Sequence, residues 1–155
     1  GDAKLGSILG GGPKKGKQAR ENFLSGVSGL MDLTNRVKQV YRRRGHLVGL
    51  DGRKLHIRSE HSALNTLLQS AGAVLMKKAL VLLDETLQKV GLKEGEDYEF
   101  VANIHDEFQI EVFYRYANVI STYAAGSVSR AGEYFEFDCP LSATAHIGKN
   151  WSETH

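Results

Sequence analysis

The sequence predicts an α+β fold with an antiparallel sheet, and three observations predict it. Apolar residues recur at helical spacing over one long stretch that begins near Ser59 and stops at Gly91. Two short segments, "HLVGLDGRKLHIR" and "FVANIHDEFQIEV", alternate apolar and polar residues around turn residues, as hairpins do. Shorter helical pieces precede both. Consecutive hairpins combined with helices, without repeated strand–helix–strand units, give antiparallel and not parallel pairing.

In chain order, "DAKLGSIL" reads as a short helix ended by Gly10, Gly11, Gly12 and Pro13. "KKGKQARENFL" is a second, basic helix. "VSGLMDLTNRVKQVYRRR" sets Val27, Leu30, Val37 and Val40 at helical spacing and makes a third. The first hairpin follows. Asp51-Gly52 is a strong tight-turn signal, and a two-residue turn there would set Val48 opposite Leu55. Ser59 then caps the long helix, with Glu60 in its first turn. Leu64, Leu67, Leu75, Ala79, Leu83 and Leu87 mark its apolar stripe over roughly eight turns. After the second hairpin a weaker helix is expected over about Tyr116 to Arg130, and a last strand near Asp138 to Ala145.

A chain of 155 residues buries a sizeable core and is most economically one domain. No uninterrupted run of about 18 apolar residues occurs, so no membrane span and no membrane partner are expected. The start, "GDAKLGSILGGG", has no basic segment leading into an apolar one, so no signal peptide is expected there. A single cysteine, Cys139, excludes an internal disulfide framework and fits a reducing compartment. The formal net charge of +2 hides an asymmetry. Residues 1–58 hold 13 Lys/Arg against 4 Asp/Glu, a net of +9, and residues 59–155 hold 7 against 14, a net of −7. A basic first third suits a polyanion, nucleic acid above all; two complementary surfaces of one soluble fold account for it equally.

"GGPKKGKQ", Gly11 to Gln18, nearly matches a phosphate-binding loop. The match fails twice. Gln18 stands where a hydroxyl would hold Mg²⁺, and the preceding segment reads as helix where such a loop must leave a strand.

Within the second hairpin, Phe100, Ala102, Ile104, Phe108, Ile110 and Val112 share one face if His105, Asp106 and Glu107 form the turn, or if two of them do with a bulge elsewhere. Asp and Glu are ordinary turn residues, so a solvated turn accounts for the tip. A divalent-metal site also accounts for it. Adjacent carboxylates on a rigid tip suit Mg²⁺, which takes oxygen ligands at about 2.0–2.1 Å and retains waters. The absence of a second His or a Cys nearby argues against zinc. A two-metal phosphoryl-transfer site needs at least one more carboxylate, and no other segment offers one at a comparable tip.

His61, Asn65 and Gln69 recur every four residues, beside the small residues Ser70, Ala71, Gly72 and Ala73. Amide donors on such a stripe suit the acceptors that every base pair shows in the minor groove. An ordinary polar helix face with a packing notch remains the alternative.

Taken together these features resemble the family A DNA polymerases, the polymerase I-like family, and most closely the replicases of short-tailed phages. The residues that carry the likeness are "GLDGRKLHIRS-HSALNTLLQSAGA" and "HDEFQIEV", with "GDAKLGSILG" and "GKNWSETH" at the two ends. It covers nearly the whole chain and is weakest from Phe113 to Glu136. The resemblance implies antiparallel palm-type hairpins packed on a long helix, preceded by short fingers-type helices. Residues 1–44 would be the end of the fingers with its connecting helix, and residues 45–155 the second half of the palm. It implies that Asp106 is a catalytic ligand of Mg²⁺, two ions serving the intact enzyme, with Glu107 in support. His105 would lie near the primer 3′ end. Asn65 and Gln69 would contact the minor groove of the primer–template, and Arg53, Lys54 and Arg58 its phosphates. His61 stands where many relatives carry arginine, which leaves its role open.

The family's first palm motif, with a second metal-binding aspartate, and its nucleotide-holding fingers helix are not found in these 155 residues. The chain is therefore expected to be inactive alone and to need an N-terminal part, in the same chain or as a separate subunit. Its partners would be primer–template DNA and deoxynucleoside triphosphates, in the cytoplasm of a phage-infected bacterium. A separately encoded subunit of a split polymerase and a non-catalytic DNA-binding remnant stay open, with a metal-dependent nuclease behind them. Leu5, Ile8, Val27 and Leu30 are then expected as exposed apolar patches.

Overall fold

The computed structural model describes residues 1–154. It divides into two compact units, one of residues 1–48 and 54–67, the other of residues 49–53 with the chain from Leu68 onward. The helices and antiparallel hairpins predicted from the sequence are present.

The first unit opens with α1 (Asp2–Ile8), α2 (Pro13–Gly26) and α3 (Leu30–Arg44). Pro13 occupies the first turn of α2, where its missing N–H costs nothing. Two glycines let α1 and α2 touch backbone to backbone: a Cβ on Gly16 would overlap the Asp2 carbonyl oxygen and come within 2.6 Å of the Gly6 nitrogen. Arg20 closes the pair onto Asp2, with Nε 2.8 Å from Oδ1. The helix preceding Gly11 confirms that "GGPKKGKQ" is no phosphate loop, and Lys15 Nζ donates to the Leu9 carbonyl at 2.8 Å. Gly45, at φ 70°, ends α3 and donates to the Tyr41 carbonyl. Arg42, Arg43 and Arg44 in that last turn complement the negative end of the helix dipole.

The first hairpin, β1 (Leu47–Val48) and β2 (Lys54–Leu55), corrects the expected register. Leu47 pairs with Leu55, and Val48 with Lys54. The loop is five residues, Gly49 to Arg53, closed by the Gly49 N–H on the Arg53 carbonyl at 2.8 Å. The one-residue slip turns Val48 to solvent and puts Leu47 inside, since strand side chains alternate. Leu47 and Leu55 are buried with Val37 and Ala63, and Val40, Tyr41 and Ile57 pack against them. Of the four expected apolar patches, Ile8 and Val27 are exposed and Leu5 and Leu30 half-buried; Phe23 and Met31 add to the exposed set.

A 3₁₀ turn over Glu60–Ser62 leads into α4 (Ala63–Lys89), and Ser59 and Ser62 cap each other's backbone. Gly91, at φ 87°, ends the helix as expected. Residues 60–89 are long and apolar enough to cross a membrane by length and composition, although polar residues interrupt the apolar run. Leu75, Met76, Ala79, Leu83 and Leu87 of α4 are buried in the protein, whereas Leu68 and Val81 are exposed.

In the second unit, Leu75, Met76 and Ala79 of α4 pack with Val128 and Ala131 of α5 (Ala117–Tyr134). Leu83 and Leu87 are fully buried against Tyr98, Leu92 and Ile120. The second hairpin, β3 (Tyr98–Ile104) and β4 (Glu107–Val112), lies on this core through Phe100, Phe108, Ile110 and Val112. Tyr98 anchors its base: the ring is 2% exposed and its hydroxyl donates to Asp84 Oδ1 at 2.6 Å. Burial and the Asp84 carboxylate push the Tyr98 phenol far above its ordinary value. No last strand forms near residues 138–145. A strand needs a ladder partner, and both sheets among the described residues are two-stranded. The segment instead runs as an extended strap, held by Ser129 Oγ on the Leu141 carbonyl at 2.7 Å and by Leu141 packing over Gly132. It ends in α6 (Trp151–Thr154).

Candidate functional site

The tip of the second hairpin is a two-residue turn, His105-Asp106, because Ile104 pairs with Glu107 and Asn103 with Phe108. Val101 is the extra residue of a bulge between Phe100 and Ala102. Of the two geometries the sequence allowed, two turn residues plus a bulge is the one formed. The bulge overturns the single-face reading of the hairpin. Phe100 still pairs with Ile110, but beyond the bulge Ala102 pairs with Gln109 and Ile104 with Glu107. Directly paired residues share a face, so Ala102 and Ile104 leave the core side and join the Glu107/Gln109 side.

His105 adopts φ 55°, the left-handed region that non-glycine residues rarely enter. The turn is thus held against a local preference, and Phe108, packed into both core clusters, supplies the hold three residues away. His105 and Asp106 are exposed, and Glu107 is half-buried. Gln109 Nε2 donates to Glu107 Oε1 at 3.4 Å, and Gln109 Oε1 accepts from Thr154 Oγ1 at 3.3 Å. A cavity of about 220 Å³ lies behind the tip, between β4, α5 and strap residues 143–148.

Two adjacent hard carboxylates on an anchored tip fit part of a divalent-cation shell. They do not make a whole one: among the described residues no three His, Cys, Asp or Glu side chains converge to hold a metal.

Gln69 is exposed on α4 in the same unit as the tip. Asn65, also exposed on α4, and His61, exposed in the 3₁₀ turn and not in α4 itself, belong to the first unit. Arg53 is exposed but folds onto its own loop, with Nε 2.6 Å from Asp51 Oδ2; that guanidinium holds the Asp51 carboxyl below its usual range. Lys54 and Arg58 are exposed and have no ion pair among the described residues. Arg42 makes two 2.7 Å bonds to Glu60, which lower the Glu60 carboxyl and raise the guanidinium. Sequence reasoning missed Gln109, Thr154 and the strap. Gln109 left one signal, an amide between apolar neighbours; Thr154 left none, being 45 residues away.

The profile of DNA polymerase family A matches residues 2–153. The chain belongs to DNA polymerase family A. It is 36% identical to the DNA-directed DNA polymerase of Enterobacteria phage T3, over all of this chain and 24% of that one. Against the DNA-directed DNA polymerase of Escherichia phage Phieco32 the identity is 38%, over all of this chain and 26% of the relative. The chain spans about a quarter of the length of the curated relatives it matches. Its fold matches the polymerase domain of Pol1 from M. smegmatis, solved with primer–template DNA and a dNTP, at a TM-score of 0.72 and 20% identity, over 84% of this chain and 24% of that one.

Proposed function

We propose that this family A chain serves template-directed DNA synthesis and supplies one half of its catalytic site. The observation that carries the reading is an exposed carboxylate, Asp106, on a strained two-residue turn anchored by Phe108. In the reaction a primer 3′-oxygen attacks the α-phosphate of a deoxynucleoside triphosphate and pyrophosphate leaves. Asp106 would hold Mg²⁺, with Glu107 beside it. When bound, the cations activate the attacking oxygen and stabilise the leaving one. Residues 1–44 would belong to the fingers side and residues 45–155 to the palm.

Exposure supports the rest of the reading. His105 at the tip would face the primer end, and Asn65 and Gln69 offer amide donors to minor-groove acceptors. Lys54 and Arg58 offer cations to phosphates, as would Arg53 once released from Asp51. His61, in the 3₁₀ turn before α4, would add a further polar contact to DNA. The chain would act in the cytoplasm of a phage-infected bacterium.

Primer extension tests this. The chain alone is expected to be inactive, because Asp106 and Glu107 leave a two-metal site incomplete. Assembled with the rest of the polymerase it extends a primer, and Asp106→Ala abolishes extension. Near-normal extension by that variant would sink the metal role, and extension by the purified chain alone would sink the half-site.

A further inference from the structure

Strand alternation sets Glu107 and Gln109 side by side on one face of β4, and the far end of the chain comes to meet them. The Gln109 amide has two ends of opposite polarity. Its Nε2 faces Glu107, so its Oε1 must face a donor, and the Thr154 hydroxyl is that donor. Turning the amide over would set Oε1 against the Glu107 carboxylate. The hydroxyl has one proton and two acceptors in reach, Gln109 Oε1 at 3.3 Å and the Trp151 carbonyl at 3.1 Å, so it orients the amide when its proton turns from the carbonyl to Gln109.

α6 is built to present that hydroxyl. Four residues are too few for a helix to persist unaided. Here Glu153 accepts from the Lys149 N–H and from Asn150 Nδ2, both at 2.9 Å, and Asn150 Oδ1 accepts from Ser152 Oγ at 2.8 Å. The strap folds back at Gly148 so closely that a Cβ there would lie 2.6 Å from the Glu153 Cβ.

We infer that α6 is a positioning device for the tip: Thr154 orients Gln109, and Gln109 orients the Glu107 carboxylate beside Asp106. This rests on the polymerase reading above, and it gives the strap a purpose that covering the cavity does not. Thr154 and Gln109 touch neither substrate nor metal in this account; they act through Glu107.

The test compares Thr154→Val, which keeps the shape and loses the donor, with Thr154→Ser, which keeps the donor. Gly148→Ala displaces α6 without touching either polar group. In the assembled polymerase, Thr154→Val and Gly148→Ala are expected to lower kcat about three- to tenfold at unchanged KM for the nucleotide, with Thr154→Ser within twofold of the parent. In the 155-residue chain, nuclear magnetic resonance of the Gln109 side-chain amide reports its orientation without any catalysis. Its cross-peaks to Glu107 should vanish in Thr154→Val and persist in Thr154→Ser. Normal kcat with intact cross-peaks in Thr154→Val, or equal losses in the Val and Ser variants, overturns the relay. Near-normal primer extension by an Asp106→Asn enzyme would instead overturn the metal role of the tip on which the relay rests, whatever the amide shows.

Discussion

Replacing Tyr98 by Phe removes one oxygen from the base of the hairpin that carries Asp106. The ring's packing survives, including its edge-on contact with Phe100 at 5.7 Å between centroids. What is lost is a 2.6 Å hydrogen bond to a carboxylate. Such bonds contribute about 1.5–3 kcal/mol net. Asp84 is only partly buried and keeps Gln88 Nε2 at 2.8 Å, so water and Gln88 compensate it in part. The low end, about 1.5 kcal/mol, is expected, or roughly 3–6 °C in Tm for a chain of this size. The pH dependence adds a second handle. The folded-state phenol is raised above its unfolded value of about 10, so its contribution is complete below that pH. Above it the unfolded chain gains by ionising and the contribution is lost as pH rises toward the folded value. Urea unfolding followed by circular dichroism, at pH 7 and pH 10.5, measures both. The gap between parent and Tyr98→Phe should be about 1.5 kcal/mol at pH 7 and smaller at pH 10.5. A gap under about 0.5 kcal/mol at pH 7, or one that widens at pH 10.5, refutes the reasoning.

Gly16→Ala places a Cβ on the Asp2 carbonyl and should cost about 1–3 kcal/mol in the packing of α1 on α2. Because α1 is short, the loss should appear as local opening, with amide exchange across residues 2–8 at least tenfold faster. His105→Val forces a β-branched residue to φ 55° and should lower stability by about 1–2 kcal/mol, whereas His105→Gly should equal or exceed the parent in denaturant titrations. Leu83→Ala, at a fully buried position between the long helix and the hairpin base, should cost about 2–5 kcal/mol by the same measurement.

Much of the candidate site was legible in the sequence, and the part that was not shares one cause. Asp106 and Glu107 announced themselves as acids between apolar alternations, and Asn65 and Gln69 as a four-residue stripe. Those signals are short in range. The partners that set the state of these groups are distant in sequence. Asp84 meets Tyr98 fourteen residues away, and Thr154 meets Gln109 across forty-five. Arg53 is the exception: its partner Asp51 is only two residues away, and the loop conformation ties the two together.

By itself the sequence determined the five longer helices to within a turn or so at their ends, and the existence and order of the two hairpins; the short α6 was not foreseen. A helix is closed by bonds four residues apart, so Gly45, Ser59 and Gly91 act where they stand. Only the tertiary structure decided strand register. The five-residue loop made Leu47 and not Val48 the buried residue, and the Val101 bulge moved Ala102 and Ile104 to the face of Glu107. It also decided that residues 138–145 run as a strap, because a strand exists only where a neighbour completes its ladder. Pairing across strands depends on which face a distant core will cover, and no local pattern carries that information.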